Sequence, residues 1–539
     1  MKRILKTDKA YTAIDKINDN FDEVYGDESF DGSVTGDGNN WVYYDFSASA
    51  GDYYRIQFPN GTWTTASSRE GYNKLMLTYL KSDGTTLYSA EIVREPWPIQ
   101  DYGYDFIVSS YGTSTLEVTK VRVYIRATSG VTVPFTITKL STEHVKSYFE
   151  PEVRNVVYSV RTFQTSPCFN FALCSDLHYL DLEEGYRPFA PYSPLGMFVN
   201  MKEVARHIRL DNVICLGDMI DGRWSAAVAM RHADEQMTFM KNVGVPIIYA
   251  IGNHDDNRYW SQQGGDRRLT SGEMHSYFIQ PVDERAGVDG TMNGCNYYRD
   301  IDRFKIRLIV ILGITFTGSY GFTSDTTTWF SDVMDSIPAG YKAIIFTHEP
   351  VRTDWNWANT SAISGASTIS STIVSNIDKV IGFFFGHTHI DNVYLDPFVA
   401  VNIGCQKVYN NSDGTNPPGS SAPEDCWWPV RAAGDARENL WDVVSIDQTN
   451  EVIACIRFGA GVDRYIHYTP IVVAAGGTVT LSPAYITADT WHVRDSESSS
   501  ISISSGVVTV SSGATPGSRL TARAADADGN FEYWAIKVS

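Results

Sequence analysis

The chain has 539 residues, too many for one ordinary domain, and its 43% hydrophobic and 20% charged residues are those of a globular protein. A formal net charge of −19 excludes a broad nucleic-acid surface, which needs a basic face, and seven cysteines without a CxxC pair demand no disulfide framework. No apolar run reaches the roughly 18 residues of a membrane span. The start, MKRILKTDKAYTAIDKI, lacks the apolar stretch of a secretory signal, so synthesis and folding in the reducing cytosol are expected.

In chain order, residues 7–25 read as a short helix, with Ile14, Ile17, Phe21 and Val24 forming a two-heptad apolar stripe. Residues 1–28 would pack on their own chain or associate with copies of it, as a trimer. The segment KTDKAYTAIDKINDNFDEVYG resembles the start of phage tail and baseplate-attached proteins. Residues 30–145 carry short alternating runs, YYRIQF, KLMLTYL, VRVYIRA and PFTITKL, between Gly- and Ser-rich turns, the pattern of an antiparallel β-sandwich. Its Trp41, Trp63 and Trp97 could stack on sugar rings or pack internally. Residues 146–167 read as a linker helix. From 168 to 470, apolar strand-like runs alternate with helical stretches at 197–210 and 224–243, as in an α/β layered core. Residues 259–296, 353–370 and 406–436 are irregular and are expected to build a cleft, with Trp260, Trp355, Trp357, Trp427 and Trp428 available for stacking or packing. Residues 471–539 return to a β-pattern and resemble bacterial immunoglobulin-like modules.

The chemistry sits in five polar clusters in the middle third. They are Asp176-Leu177-His178, Gly217-Asp218-Met219-Ile220-Asp221, Gly252-Asn253-His254-Asp255, His348 and Gly386-His387-Thr388-His389. Each follows an apolar run (FNFALCS, NVICL, PIIYAI, KAIIFT, KVIGFFF) that reads as a buried strand. Five strands would then deliver carboxylate, amide and imidazole donors to one sheet edge. A donor set without thiolate suits hard-to-borderline divalent metals. Five of the 11 histidines fall in these clusters.

In this order the motifs DxH, GDxxD, GNHD, H and GHxH resemble the calcineurin-like metallophosphoesterases. The resemblance implies a double-sheet α/β sandwich, here flanked by the two β-modules, with two divalent ions of manganese, iron or zinc. It implies that Asp176, His178, Asp218 and His389 hold the first ion. Asp218, Asn253, His348 and His387 would hold the second, with Asp218 bridging. His254 would face the substrate and contact the scissile phosphate or protonate the leaving oxygen, Asp221 would orient its ring, and Asp255 is a further candidate catalytic carboxylate or a turn residue. The chain departs from purple acid phosphatases, which carry Tyr where Asp221 stands. It departs also from the protein phosphatases, whose Asp-Arg-Gly is here Asp221-Gly222-Arg223. Arg223, Arg258 and Arg352 are candidates for the displaced phosphate contact.

The expected activity is hydrolysis of an anionic phosphoester, a diester before a monoester, by attack of a hydroxide shared between the ions. The flanking modules and the phage-like start suggest a virion tail location and a phosphorylated glycan or other cell-surface polymer as target. A structural or receptor-binding virion protein and an intracellular nucleotide phosphodiesterase are the alternatives.

Overall fold

The computed structural model describes residues 28–35, 42–48, 53–57, 74–80, 86–93, 104–107, 119–126, 132–140, 149–179, 193–223, 225–259, 267–282, 285–315, 321–355, 363–406, 429, 431 and 436–539. The helix expected over 7–25 lies outside these residues, as do Trp41, Trp63, Trp97, Trp260, Trp357, Trp427 and Trp428. The chain divides into two compact units, residues 1–146 with 182–184, and 147–181 with 185–539.

Among the described residues the first unit has strands β1 (Glu28–Thr35), β2 (Val42–Ser47), β3 (Tyr53–Gln57), β4 (Lys74–Leu80), β5 (Thr86–Val93), β6 (Tyr104–Ile107), β7 (Lys120–Arg126) and β8 (Thr132–Leu140). They form two four-stranded antiparallel sheets, ordered β1-β8-β3-β6 and β2-β7-β4-β5. This strand order is that of a jelly roll. Period-2 alternation explains the strands: Val121 and Val123 of β7 are buried with Phe46, Tyr54, Leu80, Phe135 and Ile137, while Arg122 between them pairs with Asp45 across the sheet at 2.6 Å.

The second unit opens with helix α1 (Glu150–Phe163), whose Val153, Val156, Val157, Val160 and Phe163 make one buried stripe. Strands β9 (Phe169–Cys174), β10 (Asn212–Cys215) and β11 (Ile247–Tyr249) follow, linked by α2 (Ser193–His207) and α3 (Ala226–Asn242). They run parallel. Parallel strands need crossover connections, and the two helices supply them. A second sheet contains β12 (Tyr297–Ile301), β13 (Ile306–Val310), β14 (Lys342–Phe346), β15 (Val380–Phe385), β16 (Asp391–Tyr394) and β17 (Ala400–Ile403), in the order β12-β13-β14-β15-β17-β16. Strands β13, β14, β15 and β17 are parallel to one another. The central strands of both sheets are buried along their length and mostly apolar, as expected of strands covered on both faces, with Asn170, Asn212 and Arg307 as buried polar exceptions. Phe171 meets Phe346 and Phe384 edge-on at 5.8 Å between ring centres, joining the sheets.

The irregular stretch 259–296 is partly core: Met274, Phe278 and Ile279 are buried, and Phe278 stacks on Tyr249. Trp355 is 1% exposed and stacks on Tyr394 and Phe385, so it packs the core.

The C-terminal region is β-rich, and it continues the first sheet of this unit. After β18 (Leu440–Asp447), β19 (Val452–Gly459) and β20 (Arg464–Val473) come β21 (Thr478–Thr480), β22 (Thr490–Val493), β23 (Ile501–Ser504), β24 (Val507–Val510), β25 (Arg519–Ala525) and β26 (Phe531–Val538). The nine-stranded order is β11-β10-β9-β18-β19-β20-β26-β25-β22, while β21-β24-β23 form a small sheet. A shared core of Val473, Leu481, Ile501, Val508, Val510, Leu520, Trp534 and Ile536 lies in this region.

Candidate metal centre

All five clusters leave the carboxyl ends of parallel strands: β9, β10 and β11 of one sheet and β14 and β15 of the other. The sequence suggested a single sheet edge; the structure uses two, stacked so that their edges meet. Hydrogen bonds tie the loops together. Asp176 N–H donates to the Gly217 carbonyl at 3.0 Å, His178 N–H to Asp218 at 2.8 Å, and Gly386 N–H to His348 at 3.0 Å. The chain turns sharply here. Asp176, His178, Asp218, His387 and His389 all adopt the left-handed region, with φ of 53°, 44°, 51°, 69° and 61°. Each such non-glycine residue costs of order 1–3 kcal/mol, and concentrated strain of this kind marks functional sites.

The side chains converge. His389 Nε2 lies 3.2 Å from Asp176 Oδ1, and His348 Nε2 lies 3.1 Å from Asp218 Oδ2. His178 Nε2 is 3.0 Å from His389 Nε2, 3.8 Å from Asp176 Oδ1 and 3.7 Å from Asp218 Oδ2. Asn253 Oδ1 is 3.1 Å from His348 Nε2 and 2.7 Å from His387 Nδ1. Asp176, His178, Asp218 and His348 are at most 1% exposed. Groups able to hold a cation include Asp176, Asp218 and His348, and also His178, Asp218 and His254. Asp218 belongs to both, as a bridging carboxylate would. Two buried carboxylates among imidazoles and an amide oxygen fit a divalent pair, whose charge would compensate them.

Electrostatics follow from burial. Burial would raise the Asp176 carboxyl, but His348 and His389 hold it well below the usual range. Burial would likewise raise Asp218, and the facing His348 and His254 hold it low. Burial would depress His348, but Asp218 and Asp176 override this and hold it well above the ordinary imidazole value. Burial wins at His387 and His254, each pushed down to about 3, and lowers His178 too.

His254 sits beside the cluster, its Nε2 4.0 Å from Asp218 Oδ2 and its ring 4.3 Å from that of His178. Its Nδ1 is 2.6 Å from the backbone carbonyl of Asp221. That carbonyl is the hydrogen-bond partner of Nδ1. The Asp221 carboxylate, expected in this place, lies instead 3.7 Å from His178 Nδ1 and 3.5 Å from Arg223 Nε. Asp255 is fully buried, and its oxygens accept from the N–H groups of Asp218 (3.1 Å), Met219 (2.9 Å), Ile220 (3.4 Å) and Gly252 (2.8 Å) and from the Tyr249 hydroxyl (2.7 Å). It shapes the loop that carries Asp218. Of the three arginines, Arg258 is buried against Asp256 at 3.0 Å, Arg352 pairs with Asp354 at 2.9 Å, and Arg223 lies 3.5 Å from the Asp221 carboxylate. Composition and spacing missed two buried residues. Cys405 Sγ groups with His178 and His389, and the Glu349 carboxylate with His348 and His387. The only sequence signal for Glu349 is its adjacency to His348.

Fold and site define a metal-dependent phosphoesterase. Residues 169–391 match the family model described as Calcineurin-like phosphoesterase, and this stretch is a calcineurin-like metallophosphoesterase domain. A mouse protein, manganese-dependent ADP-ribose/CDP-alcohol diphosphatase, is 22% identical, with 45% of this chain and 84% of that one covered. Among solved structures, a Staphylococcus aureus protein described as a 5'-nucleotidase is 9% identical with a TM-score of 0.33, covering 56% of this chain and 54% of its own. The phosphopantetheinyl hydrolase of Mycobacterium tuberculosis is 11% identical with a TM-score of 0.27, covering 44% of this chain and 89% of its own. Among the described residues no helix is long and apolar enough to cross a membrane.

Proposed function

We propose that the central domain hydrolyses phosphodiesters with a pair of divalent cations. Asp176, His178, Asp218 and His389 hold one, and Asp218, Asn253, His348 and His387 hold the other. The observation that carries this reading is Asp218, buried, with His178 Nε2 of its own sheet at 3.7 Å and His348 Nε2 of the other sheet at 3.1 Å from its Oδ2. When bound, such a pair supplies Lewis acidity and a nucleophilic oxygen at neutral pH. The protein's part is to fix the phosphoryl group. Arg223, one-third exposed beside Asp221, is placed to meet its negative charge. His254, its ring held through Nδ1, presents Nε2 to the substrate. Burial pushes the His254 imidazole down to about 3, and the negative charge of a bound phosphate would raise it again, toward the protonated form that a leaving oxygen needs.

Hydrolysis of bis(p-nitrophenyl) phosphate with manganese, lost in Asp218→Ala, tests the reading. Full activity in that variant overturns it, as does elemental analysis showing no bound divalent metal. The mouse relative makes pyrophosphate-linked nucleotides the first natural substrate class to compare, with manganese as the first metal. A narrower form takes a phosphorylated cell-surface polymer as substrate and a phage tail as location, with the flanking β-modules as adhesive parts. Turnover of glycerophosphate polymers above nucleotides would support it. A scaffold role without catalysis is disfavoured by the complete donor set.

A further inference from the structure

We propose that Tyr259 is a positioning residue that turns the Asn253 side chain so that its carbonyl oxygen, and not its amide nitrogen, faces the second cation. The inference rests on the two-cation reading above and adds to it a residue outside the five motifs.

A primary amide has two unlike ends of nearly equal size. Only the oxygen has lone pairs for a cation; the nitrogen is a donor and would repel one. Which end faces the site depends on what the other end meets. Here Asn253 Nδ2 donates to the Tyr259 hydroxyl at 3.1 Å, and Oδ1 is thereby turned to His348 and His387. Asn253 is 2% exposed, so an amide turned the other way would keep its nitrogen among imidazoles in a water-poor space.

Tyr259 is itself held in place. The turn before it is closed by Asn257 N–H donating to the His254 carbonyl at 2.9 Å. Asn257 takes the left-handed conformation, φ 59°. Asp256 accepts from Arg258 N–H at 2.8 Å and from Arg258 Nε at 3.0 Å, with Asp256, Asn257 and Arg258 all buried. The ring of Tyr259 lies 4.2 Å from that of His254, tilted by 32°. One side chain thus bonds Asn253 through its hydroxyl and lies against His254 through its ring. Groups that orient a metal ligand from behind contribute about 10–100-fold to metal affinity.

The test is calorimetric titration of the metal-free full chain with Mn²⁺, comparing wild type, Tyr259→Phe and Asn253→Ala. Tyr259→Phe keeps the ring and removes only the hydroxyl. The expected result is two equivalents in wild type. In Tyr259→Phe the second equivalent is weakened about 10–100-fold and the first is unchanged. Asn253→Ala should lose the second. A general structural defect would weaken both equivalents together, so selective loss carries the inference. Tyr259→Phe binding both equivalents as wild type does overturns the inference while leaving the two-cation reading intact. Fewer than two equivalents in wild type overturns that reading and this inference with it.

Discussion

At the scale of single residues, two neighbours in the GNHD motif do different work, and their variants should separate. Asp255 accepts four backbone N–H groups and one hydroxyl where no water reaches. Each buried donor left without an acceptor costs about 1–3 kcal/mol, so Asp255→Ala should lower the unfolding free energy by several kcal/mol in urea titration. His254→Ala should leave stability and manganese stoichiometry near wild type while reducing kcat by about 10²–10⁴-fold, the usual worth of a proton-transfer group. Equal destabilisation by the two would refute this division. The imidazoles differ in readiness for metal. Burial pushes His178 and His387 toward the neutral form, whereas Asp218 and Asp176 raise His348 and favour its protonated form. A metal ligand must be neutral, so a cation entering beside His348 expels its proton. Because the folded pKa of His348 is raised, manganese affinity should climb as pH rises toward that value. Calorimetry in buffers of different ionisation enthalpy should detect about one proton released per protein near pH 7. No release would show that His348 is neutral before metal arrives.

At the scale of strands and loops, the apolar runs made the site legible. The sequences FNFALC, NVIC, IIY, KAIIF and VIGFFF are the strands seen, and the polar residues after them stand at their ends. Hidden from the sequence were two contacts between loops far apart in the chain, the Asp221 carbonyl on His254 and Asp255 beneath Asp218, and one within a single loop, Tyr259 behind Asn253. These depend on where backbone groups meet, which no spacing rule reports. Loop approach is close enough to test. At Gly217, φ is +98°, and a Cβ would lie 2.6 Å from Gly252 N and 2.8 Å from the Ala250 carbonyl oxygen. Both are backbone atoms of the neighbouring loop and have no soft path away. Gly217→Ala should therefore displace Asp218 and abolish manganese binding. At Gly340, φ is +81° with nothing within 4 Å of an added Cβ. There the same substitution should cost only the left-handed penalty, about 1–2 kcal/mol, with activity retained. Manganese binding by both variants would show that the loops yield.

At the scale of the whole molecule, the β-pattern of residues 471–539 was plain in the sequence, but strand pairing across the boundary was not, because alternation does not say which edge a strand joins. β20 pairs with β19 on one side and runs parallel to β26 on the other, through Arg464–Phe531 to Val473–Val538. Glu532, fully buried on β26, accepts from Ala484 and Tyr485 N–H at 3.1 Å and faces His467 at 2.9 Å. Arg464 on β20, also fully buried, pairs with Asp391 and Asp442, joining strands of both sheets near the metal loops. Such a clamp is costly if one partner is lost, since a buried charge is left alone. A chain ending at residue 470 would strip β20 of its neighbour and open this clamp to water, leaving an unpaired apolar edge. That chain should aggregate or lose the cooperative transition of the phosphoesterase, and with it manganese binding. Residues 147–539 alone should keep both, because the described strands of the first unit pair only with one another. Thermal unfolding of the two truncations decides the matter. A chain ending at 470 that melts and binds manganese like the full protein would show that the C-terminal strands are an appendage, and that the sheet is complete at β20.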